Sequence, residues 1–463
     1  MACLNIVNER EAREYLFFVG RVQGRSESII SGFCVNCCMF TPIEFVLEGK
    51  AKEGDEVSLR GWVHRSRSSG GVAFVVVRDA SGVMQCALKK GVVPDADFEA
   101  AGKAFIESAV EVHGTVKRDE RAPGGWELQA KRFKVTHQGE AFPITGDQST
   151  EFLLDKRHLW LRSQKLTNVM KARHFIVKYL REFFDEQGFW ELSPPIITKS
   201  GCEGGSTLFE LDYFGEKAYL TQSGQLYNEA FITALEKVFI LAPSFRAEKS
   251  RTSKHLTEYW HLEEEAAHFD NEDNMRLQEE MISFVAQRLV ENNSKLLKNF
   301  NRKPEELMAV EPPFHRMKYD EAMEKCGIEW GEDFGVPQEE LLTKGLEKPL
   351  FVTNFPAKIK PFYMETTKDG KYALNADVLA PEGHGEIIGG SQRVWEYDKL
   401  VNRMRAEGLE LKDYEWYLDL RRYGSVPHSG FGLGIERLVK WLLNLEHIRD
   451  AVPFPRVINR AYP

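Results

Sequence analysis

The segment from Phe245 to Glu265, FRAEKSRTSKHLTEYWHLEEE, concentrates side chains that suit an anionic, phosphate-bearing ligand. Arg246 offers a planar guanidinium for an oxyanion, and Glu248 offers acceptor oxygens for an exocyclic amine. Two apolar-flanked strands are joined by a loop of small, polar and basic residues, Lys249 to Lys254. This pattern predicts an antiparallel hairpin that carries these groups. A charged hairpin exposed to solvent is the alternative from this segment alone.

Three further segments place polar side chains beside turn residues. In Gly188–Thr198 (GFWELSPPIIT) a predicted helix gives way to an extended Pro-Pro strand. Ala376–Arg393 (ADVLAPEGHGEIIGGSQR) places Asp377 and Glu386 on successive predicted strands, and Ser429–Leu442 (SGFGLGIERLVKWL) leads from glycines into a helix. Each signal is modest alone, because a Gly-Leu-Gly before a helix is common.

The elements that must hold these side chains divide into two predicted domains. Residues 51–137 contain about five short alternating runs separated by Gly, Asp and Pro, which predicts a five-stranded oligonucleotide-binding (OB) barrel. Residues 138–150 read as a linker, and residues 151–463 form the larger domain. Residues 1–50 show no clear period; one hypothesis is an appendage before a native start near Met39.

The larger domain mixes long helices with strands that do not alternate regularly with them. This order favours an α+β domain built on an antiparallel sheet over a doubly wound one. The predicted elements are a helix ending near Gly188, a helix over 275–299, strands at 351–355, 371–379 and 385–391, and a last helix from Gly434 to Leu445.

Composition limits the classes of protein and of site. No run approaches the roughly 18 apolar residues of a membrane span, and the start lacks a secretory pattern. The seven cysteines are irregularly spaced, which suits a reducing cytoplasm. The CVNCC cluster lacks the second ligand pair of a zinc site. Residues 51–137 contain 14 Lys and Arg residues and 12 Asp and Glu residues, whereas residues 138–463 contain 42 and 52. A basic patch that binds nucleic acid is therefore expected on the first domain and not on the second.

The order and content of these segments resemble motifs 1, 2 and 3 of the class II aminoacyl-tRNA synthetases, over residues 55–463. Within the branch that joins an OB anticodon domain to this catalytic domain, the chain is similar to asparaginyl-tRNA synthetases of the archaeal and eukaryotic kind. The resemblance implies ATP-dependent activation of L-asparagine, transfer to tRNA-Asn, and a cytoplasmic homodimer joined through motif 1 with no membrane partner. This family uses no P-loop, and the chain contains none.

The resemblance also assigns the residues around ATP. Arg246 is expected to bind the α-phosphate and the acyl-adenylate, and Glu248 to accept from the adenine amine. Tyr259 and Arg437 are expected to enclose the adenine ring, with the guanidinium near the γ-phosphate. The full set expected at ATP is Arg246, Glu248, Arg251, His255, Tyr259, Glu386 and Arg437, of which Arg246 and Arg437 are the expected catalytic residues.

Mg²⁺ is expected beside the ATP phosphates. By resemblance, Asp377 and Glu386 supply its protein ligands, and a hard cation bound to phosphates prefers such oxygens. A neighbouring family position that is often a metal-binding serine corresponds here to Gly389.

The amino-acid pocket distinguishes asparagine from aspartate. By resemblance, Glu203 and Gln225 hold the α-amino group. Aspartyl enzymes place a lysine where this chain has Asn228, in QSGQLYN. Arg393 and Glu263 are expected to read the substrate carboxamide, the first donating to its oxygen and the second accepting from its NH₂. Bound aspartate would set an anion against Glu263, although the acidic run around Glu263 is also typical of a surface.

The barrel is expected to read the anticodon. Arg65, Arg67, Phe74, Arg78 and Gln85 suit a face that stacks unpaired bases beside basic groups. By resemblance, Phe74 lies under a flipped central uridine, with Gln85 and Glu127 near the neighbouring bases. The alternative is that Phe74 fills the barrel interior.

Three other functions remain open from the sequence. The first is aspartate ligation, including charging of both tRNAs, against which the missing lysine argues. The second is a tRNA-independent asparagine synthetase, which would dispense with the barrel. The third is an RNA-binding or regulatory protein with an inactive catalytic domain, which the intact arginine and glutamate positions disfavour.

Overall fold

The chain forms two compact units, Met1–Gly146 and Asp147–Pro463. The computed structural model describes residues 40–199, 201, 207–249, 252, 254–300 and 302–463. The predicted extension up to residue 39, with its clustered cysteines, lies outside the described residues. Within the described part, no helix has the length and apolar character needed to cross a membrane.

The first unit contains a closed five-stranded barrel with strand order β1-β2-β3-β5-β4, which confirms the predicted OB architecture. Its strands pair antiparallel except for β3 and β5, which run parallel. The elements are α1 (Ile43–Leu47), β1 (Glu56–Ser69), β2 (Val72–Arg78), β3 (Val83–Lys89), α2 (Asp95–Lys103), β4 (Ala109–Arg118) and β5 (Trp126–His137).

Strict alternation along β2 decides where Phe74 points. Ala73, Val75 and Val77 are buried in the barrel core, whereas Phe74 and Val76 lie between them on the outer face and stay partly exposed. Successive residues of a strand face opposite sides, so Phe74 cannot fill the interior. The interior-filling alternative for Phe74 is therefore wrong.

The second unit is built on an eight-stranded sheet of order β12-β13-β14-β15-β16-β11-β10-β6, antiparallel except at its two edge pairs. A separate three-stranded sheet has the order β7-β9-β8. The strands are β6 (Trp190–Leu192), β7 (Ile197–Thr198), β8 (Glu210–Tyr213), β9 (Glu216–Leu220), β10 (Lys237–Phe245), β11 (Glu258–Ala267), β12 (His315–Lys318), β13 (Leu350–Thr353), β14 (Asn375–Ala380), β15 (Gly385–Gln392) and β16 (His428–Gly434).

The helices of the second unit pack on this sheet and at its edges. The main core joins the sheet to the two long helices and the last one, and Trp441, Phe184 and Met281 are among its fully buried side chains. The helices are α3 (Thr150–Asp155), α4 (Arg157–Trp160), α5 (Gln164–Glu186), α6 (Gln225–Leu235), α7 (Asn271–Leu297), α8 (Pro304–Met308), α9 (Tyr319–Cys326), α10 (Val336–Thr343), α11 (Tyr397–Ala406), α12 (Glu415–Arg422) and α13 (Ile435–Leu442).

The α+β class is confirmed, and several element ends differ from the prediction. α7 begins four residues earlier than predicted, because Asp270 caps it by accepting from the backbone N–H groups of Glu272 and Asp273. The strand predicted for 371–379 begins only at Asn375. The strand expected through the Pro-Pro pair is interrupted, since β6 ends at Leu192 and β7 starts at Ile197, and proline has no N–H for a ladder.

The strand β11 separates a polar face from an apolar one. His261, Glu263 and Glu265 line a cavity, while Leu262 and Ala266 belong to the core beneath the helices. Glu264 shares that core face, is 0% exposed, and is paired across the sheet with two phenylalanines, Phe239 and Phe431. Neither of its carboxyl oxygens has a hydrogen-bond partner among the described residues. Burial, followed by the charge of Glu265, raises the pKa of Glu264 well above its ordinary value.

Glu264 therefore makes stability pH-dependent. Above the ordinary glutamate pKa of 4.5 the unfolded chain releases this proton while the folded chain keeps it, so the free energy of unfolding falls as pH rises. Between the pKa of Glu264 in the unfolded chain and its higher pKa in the folded chain, the free energy of unfolding falls by up to about 1.4 kcal/mol per pH unit. We expect Glu264→Gln to remove this pH dependence, so that its advantage in urea midpoint over the parent grows as the pH rises above about 5.

The matched control for this measurement is Glu258→Gln, which alters an exposed carboxylate on the same strand. It should follow the parent at every pH. Parallel curves for the parent and Glu264→Gln would contradict the buried, protonated state of Glu264.

Candidate functional site

A cavity of about 920 Å³ opens on the polar face of the large sheet. The β10–β11 hairpin, β14, β15, β16 and α13 each contribute side chains to its wall. The predicted site residues that line it are Gln225, Arg246, Glu248, His255, Tyr259, Glu263, Asp377, Glu386, Arg393 and Arg437. The structure thus brings together groups that lie up to 212 positions apart in the sequence, from Gln225 to Arg437.

Glycines on β16 make room for the polar side chains of β11. Gly430 is paired with Glu265 and Gly432 with Glu263, so each glycine lies directly across from a cavity-facing carboxylate. A Cβ added at Gly430 would collide with the carboxyl group of Glu265, and one at Gly432 would collide with the ring of His261. The glycines on either side of Phe431 in β16 therefore meet a steric need of the site.

Two arginines define one part of the cavity. Arg246 follows β10 directly, and its guanidinium lies 5.8 Å from the centre of the Tyr259 ring on β11. Arg437, in the first turn of α13, donates from Nη1 to the backbone oxygen of Glu386 at 2.9 Å and to its carboxylate at 3.2 Å. Both guanidinium groups line the same cavity, an arrangement suited to a polyanion.

The loop of the hairpin adds further polar groups. His255 is partly buried, and burial followed by Arg437 lowers its pKa, so the neutral ring is favoured near neutral pH. Lys254 is buried and forms a 3.0 Å ion pair with Glu339 of α10, which ties the loop to that helix. Arg251, expected at the outer phosphates, lies outside the described residues.

Asp377 and Glu386 come from adjacent strands and face the same cavity. Asp377 is 5% exposed, and Lys360 donates to it at 2.5 Å. Burial raises the pKa of Asp377 to about 6, and the charge of Glu386 adds to that rise against the opposing effect of Lys360. A Cβ added at Gly389 would meet nothing closer than an Asp377 oxygen at 3.8 Å, so space remains beside this carboxylate.

These carboxylates fit Mg²⁺ by the chemistry of their donor set. Mg²⁺ is typically bound by one or two carboxylates together with substrate phosphates, so a complete protein cage is not required. Mutual repulsion of two carboxylates facing one cavity is also relieved by a divalent cation.

Glu263 is anchored at another part of the cavity. It is 4% exposed, accepts a 2.8 Å hydrogen bond from the Gly224 backbone N–H, and accepts a second from the Ser223 hydroxyl. His261 lies 3.5 Å from the same carboxylate. The reading of the acidic run as a surface feature is wrong at this position, because all three residues from Glu263 to Glu265 are buried.

Arg393 lies on the same wall, and its partner was missed by sequence reasoning. Nε and Nη2 both donate to Glu265, at 3.0 and 2.6 Å, and Nη1 donates to Ser391 at 2.7 Å. Burial acts to lower the pKa of Arg393, but Glu265 and then Glu229 outweigh burial and raise it. Arg393 is therefore a permanently charged, fixed donor within reach of the cavity.

Gln225 begins α6 and is 6% exposed, with Nε2 donating to Glu229 at 3.0 Å. Asn228, at the position of the aspartyl lysine, is 1% exposed and donates to the backbone oxygen of Glu263 at 3.4 Å. Glu203, expected beside the α-amino group, lies outside the described residues. Glu229 gave no sequence signal beyond its position one turn after Gln225.

The barrel carries the other predicted residues on its outer side. Arg67 is paired with Phe74, and its guanidinium lies 4.8 Å from the ring centre. Arg65, Val76, Gln85 and Glu127 occupy one cross-strand row over β1, β2, β3 and β5. Gln85 and Glu127 are buried and joined by a 2.7 Å hydrogen bond, so they form one fixed polar unit beside the exposed arginine.

Comparison with known proteins matches both units. Residues 149–458 match the model of class II tRNA synthetases (D, K and N), and residues 57–136 match the OB-fold nucleic acid binding domain. The asparagine–tRNA ligase of Thermoplasma acidophilum is 50% identical over 420 residues, which cover 89% of this chain and 98% of that protein. The asparagine–tRNA ligase of Thermococcus gammatolerans is 52% identical over 417 residues, which cover 89% and 97%.

Solved structures agree with these relatives. Asparaginyl-tRNA synthetase from Pyrococcus horikoshii, complexed with asparaginyl-adenylate, superposes with a TM-score of 0.86 at 49% identity, covering 89% of this chain and 97% of that one. The Entamoeba histolytica enzyme with asparaginyl-adenylate gives 0.81 at 34% identity, covering 89% and 98%. With both units matched and half of the aligned residues identical, the chain belongs to the asparagine–tRNA ligases of the class II tRNA synthetase family.

Proposed function

We propose that this protein activates L-asparagine with ATP, releasing pyrophosphate, and transfers the asparaginyl group to the 3′ end of tRNA-Asn. One observation carries the proposal: Arg246 and Arg437 share a single cavity with Glu263 and Arg393. The first pair suits a nucleotide and its phosphates, and the second pair suits a carboxamide. A relative solved with asparaginyl-adenylate supports the same use of the cavity.

The first step follows from the charges of the cavity. The asparagine carboxylate attacks the α-phosphorus of ATP in line, and pyrophosphate leaves. No general base is needed, because the nucleophile is already ionised. Arg246 and Arg437 orient the phosphates and neutralise their charge, which lowers the barrier to the approach of two anions. Tyr259 and Glu248 are proposed to hold the adenine ring and its amine.

Asp377 and Glu386 are proposed to hold Mg²⁺ together with the ATP phosphates. Mg²⁺ would neutralise phosphate charge and orient the pyrophosphate leaving group. Lys360 keeps Asp377 compensated when no other cation is near, since its ammonium group lies 2.5 Å from the carboxylate.

Selection of asparagine is proposed to depend on Glu263 and Arg393. A carboxamide offers both a donor and an acceptor to this acid–arginine pair, whereas the aspartate carboxylate would face Glu263 with like charge. Mispairing of buried polar groups can discriminate by several kcal/mol, so an editing domain is not required.

In the second step the terminal ribose hydroxyl of tRNA-Asn attacks the acyl carbon of asparaginyl-adenylate, the bond from that carbon to the phosphate oxygen breaks, and AMP and a proton are released. The barrel is proposed to read the anticodon. Phe74 presents an outward ring for stacking, and Arg65 and Arg67 supply positive charge beside it. Gln85 and Glu127 offer hydrogen-bonding groups on the neighbouring strands.

We also propose a cytoplasmic homodimer joined through the segment Gly188–Pro195 and the helix before it. Trp190, within this segment, is 60% exposed, and Ile197, two residues after it, is 44% exposed, a degree of apolar exposure that an isologous contact would cover. Sedimentation equilibrium measures this directly, and a monomer mass at micromolar concentration would refute it.

The decisive test of function is aminoacylation with purified tRNA-Asn and tRNA-Asp and each labelled amino acid. We expect asparagine on tRNA-Asn to be the efficient combination, and Arg246→Ala to be inactive in the ATP–pyrophosphate exchange step. Efficient charging of tRNA-Asp with aspartate would instead support aspartate ligation.

Glu263→Gln should erode the choice between the two amino acids. The substitution removes the charge that repels aspartate while keeping the side-chain length. We expect the asparagine-to-aspartate ratio of kcat/KM in pyrophosphate exchange to fall at least about tenfold, equivalent to about 1.4 kcal/mol. Glu258→Gln is the matched control on the same strand, and an unchanged ratio for Glu263→Gln would remove Glu263 from the specificity pocket.

Phe74→Ala should affect tRNA binding alone. Loss of one base–aromatic stack costs about 1–3 kcal/mol, so KM for tRNA-Asn should rise roughly tenfold or more while asparagine activation is preserved. Val76→Ala, on the same outward face of β2, is the control. Equal damage by Phe74→Ala to activation and transfer would show a folding role instead.

A further inference from the structure

Glu229 lies one turn after Gln225 on α6 and connects several elements around the amino-acid end of the cavity. It is 1% exposed. Oε2 accepts hydrogen bonds from the Tyr417 hydroxyl at 2.7 Å, from Arg421 of α12, and from the ring of His428 at 3.0 Å. Oε1 accepts from Gln225 Nε2 at 3.0 Å. A single carboxylate thus fixes α6 against α12 and β16.

The charge of Glu229 determines how the Gln225 amide is oriented. Burial acts to raise the pKa of Glu229, but Arg421 and His428 outweigh burial and keep the pKa well below its usual range. An ionised carboxylate only accepts hydrogen bonds, so the NH₂ group of Gln225 must face it. Gln225 lines the cavity, and its side-chain carbonyl oxygen is left as an acceptor to which no described residue donates a hydrogen bond.

We propose that Glu229 is a positioning residue for the amino acid substrate: it holds the Gln225 carboxamide with its carbonyl oxygen toward the α-ammonium group. This inference rests on the proposed function. A carbonyl oxygen accepts from an ammonium N–H, whereas a flipped amide would present NH₂ to the same cation and repel it. Glu229 thereby acts on substrate affinity through Gln225 without touching the substrate.

The same group of residues does not offer a metal site. Glu229, Glu265 and His428 place ligand atoms within 4.8 Å of one another. Arg421 and Arg393 already pair with the two carboxylates. Both ring nitrogens of His428 already lie at hydrogen-bond distance from oxygens of this network, Val426 O at 2.7 Å and Glu229 at 3.0 Å.

The test compares Glu229→Gln with the parent in asparagine-dependent ATP–pyrophosphate exchange. The substituted amide can turn its own NH₂ toward Gln225, which removes the constraint on the Gln225 carbonyl. We expect KM for asparagine to rise at least about tenfold, the loss of one well-placed hydrogen bond to a charged group. KM for ATP should change less than about twofold, because the nucleotide contacts are elsewhere in the cavity. Glu236→Gln, an exposed carboxylate that follows the same helix, is the control.

A swapped pair, Gln225→Glu with Glu229→Gln, keeps the total charge and restores an acceptor toward the cavity. The amide at position 229 then donates to the carboxylate at position 225, whose second oxygen faces the substrate ammonium. We expect KM for asparagine to return to within about threefold of the parent value. A residue that serves only the fold would not be rescued in this way.

An unchanged KM in Glu229→Gln would overturn the proposal. So would a loss of melting temperature and kcat that the swapped pair fails to restore, since Glu229 would then act on folding alone. Failure of the proposed function can be distinguished from failure of this inference about Glu229. If the parent activates aspartate rather than asparagine, the same comparison on KM for aspartate still tests Glu229, because both amino acids carry the α-ammonium group.

Discussion

The ion pair between Arg393 and Glu265 is the contact on which the rest of the cavity depends. Both side chains are almost fully buried, with 4% and 1% of their surface exposed. Removing two charges from water costs several kcal/mol per ion, and only good geometry with further hydrogen bonds offsets this. Two guanidinium donors to one carboxylate and a third to Ser391 meet that condition. The pair also needs space, which Gly430 provides by having no side chain.

This constraint explains why the site is built on a sheet and not on loops. The side chains of β11 alternate between cavity and core, and the glycines of β16 stand opposite those that face the cavity. Each cavity-facing group is therefore held by backbone pairing on both sides. Arg246 directly follows β10, and Arg437 lies in the first turn of α13, which follows β16, so both side chains extend from places where the regular ladder has stopped. Rigid strands thus hold the groups proposed to determine specificity, and strand ends hold the groups proposed to bind phosphate.

The sequence predicted the barrel and the α+β sheet from local signals, and its resemblance to known motifs predicted ten of the residues that line the cavity. The end of α5 near Gly188 and the alternation along β2 are examples, since each follows from one residue type or one period. Partners distant in the sequence left no such signal. The run from Glu263 to Glu265 looks like a solvated surface until Arg393, 128 residues later, is known to lie beside it. Likewise, the role of Glu229 could not be predicted, because its partners Arg421 and His428 lie 192 and 199 residues later in the sequence.

Charge compensation within the protein gives the physical basis for preferring an amide to an acid. Arg393 and Arg421 are balanced by Glu265 and Glu229, and Glu263 is satisfied by Ser223 and the Gly224 backbone. A neutral carboxamide enters this pocket without changing its charge. A carboxylate would add an anion, and Arg393 and Arg421 are already paired with Glu265 and Glu229. The aspartyl enzymes place a lysine at the position of Asn228, and here that side chain is buried and donates only to the Glu263 backbone oxygen. If this is the amino-acid pocket, as proposed, the pairing of its own charges favours a neutral carboxamide over a carboxylate.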